Sequence, residues 1–427
     1  MRIGVIGMGY VGIPEAALFA NAKSIDMVYG FQRNSETSGY KINLLNEGNL
    51  PFKDIELEEK LRVAIENKKF ICTSDYSKLS ECNAIIIAVQ TPLPNINPFY
   101  DAIEATIAAL HRPTTVTVPL IVIVSTVPPG TSRRVQAMFE TQLIPVRVVH
   151  VPERVTPGKL LRNIETYPRI IGGDTDFDIL LATQLYRKIT KTKFITMSTV
   201  EAEITKTAEN GIRAAQIAMA NEIAMICEYN GANFNNVKRG IDSLKGEGVA
   251  RALLEPGAGV GGHCLTKDGI HLAMGYPSPS KTHNSIFYNA VQLNKSMPYH
   301  LWDLTYDALL KSGKSPSDSR IMIFGWSYLP NTTDTRESPA ILFKQIAEAN
   351  VRDVIIHDPL CGYNNIDEII RVDAIVIITV HDEIKELLSL LPHSDYPKII
   401  IDGRNSINPT DFTRTGWVYR GIGRGDI

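Results

Sequence analysis

The chain alternates short apolar runs with longer amphipathic ones, and the rhythm changes character twice. Arg2-Ile-Gly-Val-Ile-Gly7 reads as a buried strand, the run from Glu15 to Asn21 as a helix, and Met27 to Phe31 as a second strand. Apolar runs at Ala84 to Val89, Leu120 to Val124 and Val146 to Val151 predict further parallel-type strands, and Arg169 to Gly173 ends this region. At Ser198 the pattern becomes that of one long helix. Ser198 and Glu201 match a capping box, and the periodicity stops at Asn230-Gly231. A second helical region, Ser285 to Leu310, closes on the linker-like stretch Lys311 to Pro316. Strands at Arg320 to Phe324, Val354 to His357, Ala374 to Thr379 and Lys398 to Ile401 then alternate with helical segments, as a smaller parallel sheet requires.

These elements predict an α/β protein of two Rossmann-like doubly wound parallel sheets joined by a central long-helix domain. The expected boundaries are 1–197 for a dinucleotide-binding domain, 198–312 for the helical domain and 313–427 for the second sheet. A length of 427 residues suits about three domains.

In doubly wound sheets ligands sit at the carboxyl ends of the strands, so the polar turns there come first. The first strand runs into Gly7-x-Gly9-x-x-Gly12, whose glycines allow a tight turn and let a pyrophosphate approach a helix N-terminus. Gly7, Gly9, Tyr10, Val11 and Gly12 are therefore cofactor-binding candidates. The acid expected after the second strand, where it would bind an adenosine ribose, is absent, and Gln32 followed by Arg33 stands there. An amide does not repel a 2′-phosphate, so NADP stays open beside NAD, while Arg33 equally suits stacking on adenine or a solvated position. Thr91, in Gln90-Thr91-Pro92, and Thr126, in Ser125 to Thr131, fall in two further strand-end turns, where threonine is also a common loop cap.

The run Pro256-Gly257-Ala258-Gly259-Val260-Gly261-Gly262-His263-Cys264-Leu265-Thr266-Lys267-Asp268 concentrates glycines beside one thiol. Glycines leave backbone N–H groups able to press against a ligand, and a thiolate suits covalent capture of a carbonyl. Lys267 and the loop amides would lower the thiol pKa. The bland alternative is a surface turn beside a half-buried cysteine. Lys206 and Asn210 share one face of the long helix, where a lysine also serves as a snorkelling surface residue. The small stripe Ala208, Ala214, Ala215 and Ala218 suggests helix packing, within or between subunits. Arg336 and Arg404 follow strands of the second sheet, positions that suit a diphosphate or a base edge and equally a solvated helix cap.

Composition narrows the classes. Charged residues make up 21% and the formal charge is −2, which excludes a general nucleic-acid or membrane-surface binder. The apolar stretch from Ile212 to Ile226 is broken by Arg213, Gln216, Asn221 and Glu222 and cannot span a bilayer. Five scattered cysteines without Cys-x-x-Cys spacing fit a reducing cytoplasm, with neither a structural metal nor a disulfide framework. Met1 and Arg2 run straight into the strand pattern, so no signal segment is expected.

In this order the blocks Gly7-x-Gly9-Tyr10-Val11-Gly12, Ser125 to Thr131, Pro152-Glu153, Lys206-x-x-x-Asn210, Gly259 to Asp268 and Asp334-Thr-Arg336-Glu-Ser-Pro339 resemble the nucleotide-sugar 6-dehydrogenases. That family comprises UDP-glucose, GDP-mannose and UDP-N-acetylhexosamine dehydrogenases. The resemblance covers nearly the whole chain. It implies two successive NAD-dependent oxidations of a sugar C6 hydroxyl to a carboxylate, through a thiohemiacetal and a thioester on Cys264, for glycan precursor synthesis. By the same resemblance Lys206 stabilises an oxyanion, Asn210 positions substrate, Asp268 and Thr126 hold and activate water, and Glu153 acts as base or water-orderer. Lys267 falls to the cofactor. Glu153, Arg154, Val155, Arg251, Gly257, Gly259, Gly261, Gly262, Arg336 and Arg404 fall to the UDP-sugar, and the central helix to a homodimer or higher homo-oligomer.

Pro152 to Gly158 and Gly261-Gly-His263-Cys264 resemble the acetamido-sugar branch, and Pro157 stands where the UDP-glucose branch has a second glutamate. An N-acetylhexosamine of the gluco, manno or galacto type is thus the expected substrate. Thr266-Lys267-Asp268 resembles the UDP-glucose branch and keeps UDP-glucose as an alternative; a two-electron hydroxyacid or phosphogluconate-type dehydrogenase is a second one. Two departures stand out. Gln32 replaces the usual aspartate, and Leu329 stands where the family commonly has lysine.

Overall fold

An eight-stranded sheet organises the first part of the chain, with β1 (Arg2–Ile6), β2 (Met27–Phe31), β3 (Phe70–Thr73), β4 (Ala84–Ile87), β5 (Leu120–Ile123), β6 (Arg147–His150), β7 (Arg169–Gly172) and β8 (Phe194–Met197). In this computed structural model the order is β3-β2-β1-β4-β5-β6-β7-β8. All neighbours are parallel except β6 and β7, which meet at His150 opposite Gly172. The strand order reverses between β1 and β4, which makes the carboxyl ends of those two strands the expected ligand crevice.

Ile86 and Val122 pack on one face with Val5, while Ile85, Ile87, Ile121 and Ile123 pack on the other. Both faces of the central strands are buried, which is why their sequence reads as unbroken apolar runs. Removing most of one such side chain costs about 2–5 kcal/mol.

The structure describes all residues except 94–95, 112–117, 156–159, 245–252, 390, 392–397, 414–415 and 427. They divide into two units, Met1–Ala208 and Glu209–Ile427. The helix Thr199–Tyr229 begins in the first and ends in the second. It starts as its cap residues dictate: the Ser198 amide and hydroxyl donate to Glu201 Oε2 at 2.8 and 2.7 Å. Beyond its end, Gly231 takes a left-handed φ of +65°.

The second unit holds five parallel strands, β9 (Arg320–Phe324), β10 (Asp353–His357), β11 (Ala374–Ile377), β12 (Lys398–Asp402) and β13 (Trp417–Gly421), in the order β10-β9-β11-β12-β13. Helix Ile286–Lys311 packs Met297, Leu301 and Leu304 against Ile321, Ile323 and Ile401 of that sheet. Asn294 ties the same helix to the long one, accepting from Asn221 Nδ2 at 3.0 Å and donating to the Ala214 carbonyl at 2.9 Å. The glycine-rich loop and the second sheet therefore belong to one packed body.

Candidate functional site

In the first unit the glycine turn is built for close approach. A Cβ on Gly7, whose φ is +100°, would lie 2.5 Å from the Ala88 carbonyl oxygen, and one on Gly12 would lie 2.0 Å from the Gly7 oxygen. Neither position can carry a side chain. Gly9 instead faces space open to at least 4 Å, and the helix Gly12–Asn21 begins directly after it. Backbone amides, a helix N-terminus and an open approach together fit a dinucleotide diphosphate. Tyr10 stacks on Phe52 at 4.3 Å, and Val11 packs on the sheet core. The turns after β4 and β5 are laced together: Thr91 Oγ1 donates to the Thr126 carbonyl at 2.6 Å, and Ser125 Oγ to the Val89 carbonyl at 2.7 Å.

The turn after β6 is fixed by charge. Arg169, on β7, is buried and donates to Glu153 Oε2 at 2.8 Å and to Glu15 Oε1 at 3.0 Å. Tyr186 caps Glu15 at 3.2 Å from its hydroxyl, with its ring under the guanidinium at 4.5 Å. Burial pushes the Glu15 carboxyl up to about 7 against the opposing pull of Arg169. The other Glu153 oxygen accepts from the Arg154 amide at 2.8 Å, Arg154 itself donates to the Pro168 carbonyl at 3.2 Å, and Val155 packs on the core. The rest of this turn, residues 156–159, lies outside the described residues.

Lys206 projects from the long helix toward His150, whose imidazole is pushed down to about 3 by burial and by that ammonium. Three residues earlier, the buried Glu203 accepts from the Ser132 amide and hydroxyl, both at 2.6 Å, and from the Gly130 amide. Burial raises the Glu203 carboxyl against those bonds. This residue fastens the long helix to the turn that carries Thr126.

In the second unit Asn210 Nδ2 donates to Asp268 Oδ2 at 2.6 Å, and Lys267 Nζ lies 2.9 Å from Asp268 Oδ1. Asp268 is fully buried, and both carboxylate oxygens are held. Cys264 is exposed at the surface of the loop. Its carbonyl accepts from the Lys267 and Asp268 amides at 3.2 and 2.9 Å, which ties the Cys264 backbone to the start of the helix Asp268–Ala273.

The loop glycines serve a different purpose from the one their sequence suggests. The space where Gly261 would carry a Cβ is filled by Tyr328, whose own Cβ is 2.3 Å away, and the ring of Tyr328 covers Gly262 at 2.9 Å. Arg404 Nη1 occupies the corresponding space at Gly257, 2.6 Å away, and Gly259 (φ +127°) meets the Asn294 carbonyl oxygen at 3.1 Å. The expectation that these amides press against a ligand is corrected at two positions. The Gly257 amide donates to Asn221 Oδ1 at 2.8 Å and the Gly262 amide to the Arg336 carbonyl at 2.8 Å.

Tyr328 is a residue that sequence reasoning did not single out. Its hydroxyl donates to Asp334 at 3.3 Å and is pushed up to about 12, first by burial and then by that carboxylate. Cys264 is among the groups that act on it. The available signal is an aromatic residue in the turn directly after β9. Arg336 forks onto the same Asp334, with Nε at 2.8 Å from Oδ1. Arg404 is oriented by its Nε–H bond to the Ile378 carbonyl at 2.6 Å, and its amide by the buried Asp402 at 3.0 Å. Leu329 is exposed. Arg251 lies outside the described residues.

Comparison with known proteins gives the family. The UDP-glucose/GDP-mannose dehydrogenase family matches along the chain, its NAD binding domain over residues 1–190, its central domain over 200–296 and its UDP binding domain over 322–409. The chain is similar to the UDP-N-acetyl-D-mannosamine dehydrogenase of Pyrococcus horikoshii, with 34% identity over 100% of both proteins. Among solved structures it is similar to the NDP-N-acetyl-D-galactosaminuronic acid dehydrogenase of Methanosarcina mazei Go1, with a TM-score of 0.84 and 38% identity over 100% of this chain and 96% of that one. The P. horikoshii UDP-D-ManNAc dehydrogenase structure also gives 0.84, with 32% identity over 100% of each chain. The chain belongs to the UDP-glucose/GDP-mannose dehydrogenase family and is an NAD-dependent nucleotide-sugar dehydrogenase.

Proposed function

We propose that the enzyme oxidises the C6 hydroxyl of a UDP-N-acetylhexosamine to the uronic acid, with Cys264 carrying the carbon between two oxidations. The observation that carries this reading is the exposed Cys264 in a turn whose carbonyl accepts from the Lys267 and Asp268 amides, with Asp268 buried and bound to Asn210 and Lys267, in the unit that also contains Arg336 and Arg404. Bound NAD supplies the hydride acceptor for each oxidation. The first oxidation takes a hydride from C6 and the proton from its hydroxyl, leaving an aldehyde; the Cys264 thiolate adds to that carbon, and the resulting thiohemiacetal loses a hydride from C6 and the proton from its hydroxyl, leaving a thioester. Water attacks the thioester carbonyl, releasing the carboxylate and returning the thiol; holding and activating that water are the roles the family resemblance implies for Asp268 and Thr126. Lys206 stabilises the oxyanions of these steps, Asn210 orients the sugar, and Glu153, fixed by Arg169, orders water or takes a proton.

The acetamido substrate is supported by the Pro152 to Gly158 and Gly261 to Cys264 sequences, and by the substrates named for the relatives above. A homo-oligomer through the long helix completes the proposal. Ile212, Met219 and Ile226 recur every seven residues along it and are each about half exposed, at 51%, 53% and 56%. Ala214 and Ala218 are buried.

The test is turnover of UDP-N-acetylhexosamines and UDP-glucose, with product acid and reduced cofactor counted. Two reduced cofactors per sugar, preference for an acetamido sugar and no acid from Cys264→Ala are expected. A ratio near one, or better turnover of UDP-glucose, would overturn it.

A further inference from the structure

The turn that leaves β2 carries groups that oxidation of the sugar does not use. Gln32 stands where an acid would bind the adenosine ribose, and its amide is turned onto Ser38 Oγ at 2.9 Å. Ser38 Oγ lies 2.8 Å from Ser35 Oγ, which lies 3.5 Å from Thr37 Oγ1. The turn is tight: a Cβ on Gly39 would meet Asn34 Oδ1 at 2.5 Å and the Ser35 carbonyl oxygen at 2.8 Å. Ser35, Ser38 and Gly39 donate the bonds that close it, whereas the amides of Asn34, Glu36 and Thr37 donate to no protein acceptor among the described residues.

Two cations flank this array. The Arg33 side chain is 61% exposed, and its ionic partner, Asp101, is 3.4 Å away and 54% exposed. So open a pair holds with at most about 1 kcal/mol, and a competing anion can displace it. Lys41 Nζ donates to the Met8 carbonyl at 3.2 Å, which places an ammonium against the glycine turn. Besides Asp101, the acid in the stretch is Glu36, which is exposed.

We propose that this turn is a subsite for the 2′-phosphate of NADP, so that the enzyme accepts both nicotinamide dinucleotides. A phosphate monoester needs several converging donors. A guanidinium, clustered hydroxyls and amides without acceptors supply them, and no carboxylate occupies the Gln32 position to repel it. The inference rests on the dinucleotide reading of the first unit and is independent of which sugar is oxidised.

The test is calorimetric binding of ADP-ribose and 2′-phospho-ADP-ribose to the full-length protein without sugar, alongside kcat/KM for NAD and NADP. The two fragments should bind within about tenfold of each other, a difference of about 1.4 kcal/mol. Arg33→Ala should shift the affinity ratio against the phosphorylated fragment by about tenfold or more, and Gln32→Asp, which restores a repelling acid, should shift it further. Native binding of the phosphorylated fragment more than about a hundredfold weaker, or a ratio unmoved by Arg33→Ala, overturns the subsite alone. Failure of both fragments to bind overturns the dinucleotide reading together with it.

Discussion

Asn210 donates its side-chain amide to Asp268 across 2.6 Å, joining the long helix to the residue that opens the short helix after the cysteine loop. Asp268 is fully buried, and its two carboxylate oxygens meet Asn210 and Lys267. Asn210→Ala should leave one carboxylate oxygen without its donor, at a cost of about 1–3 kcal/mol. Displacement of the groups beside Cys264 should lower kcat by up to about a hundredfold. Thermal unfolding and steady-state kinetics read the two effects, and a variant with native kcat would remove Asn210 from the chemistry.

The contact between Tyr328 and the cysteine loop makes a prediction about glycine. Gly261→Ala places a methyl 2.3 Å from Tyr328 Cβ, so a backbone must shift, and overpacking of this kind costs about 1–3 kcal/mol. Truncating the tyrosine should not help, because the colliding atom is the Cβ that alanine keeps. The double variant Gly261→Ala with Tyr328→Ala should melt no higher than Gly261→Ala alone. Recovery of stability in the double variant would contradict the packing described.

Glu15 predicts a pH dependence of stability. Its folded-state carboxyl is raised to about 7 from an ordinary 4.5, chiefly by burial. A raised carboxyl contributes fully below its unfolded value, and that contribution is lost as the pH rises through the folded one. Glu15→Gln cannot ionise and lacks this slope. Urea midpoints of the two proteins measured between about pH 5 and about pH 8 should diverge, the native protein losing more toward the alkaline end. Parallel curves would mean that Arg169 keeps Glu15 ionised throughout.

Met219 tests the exposed stripe on the long helix. A charge at the centre of an apolar interface is poorly tolerated, so Met219→Glu should lower the mass measured by light scattering while leaving the circular dichroism spectrum intact. An unchanged mass would place any subunit contact elsewhere.

The parts of the fold that were legible are those whose periodicity is decided locally. Strands β2 and β9 begin and end where their apolar runs do, and Ser198 and Glu201 mark the true start of the long helix. Strand β8, at one edge of the large sheet, has no fully buried residue, and β3 and β13 alternate buried and exposed positions at edges. Such strands lack the continuous apolar run by which central parallel strands are read. The Gly7 to Gly12 turn and the pairing of Lys206 with Asn210 on one helix were legible because spacing alone defines them. Arg169 with Glu15 and Glu153, Glu203 with Ser132, and Tyr328 with Gly261 were not. Each is a meeting of residues distant in sequence, and neither partner is unusual where it stands.

Because Tyr328 occupies the room that Gly261 and Gly262 leave, the cysteine loop and the turn after β9 form a lock and its key, and neither can be exchanged alone. A chimera whose imported cysteine loop carries a side chain at either glycine position would have to import the turn behind it as well, or inherit a collision at its centre.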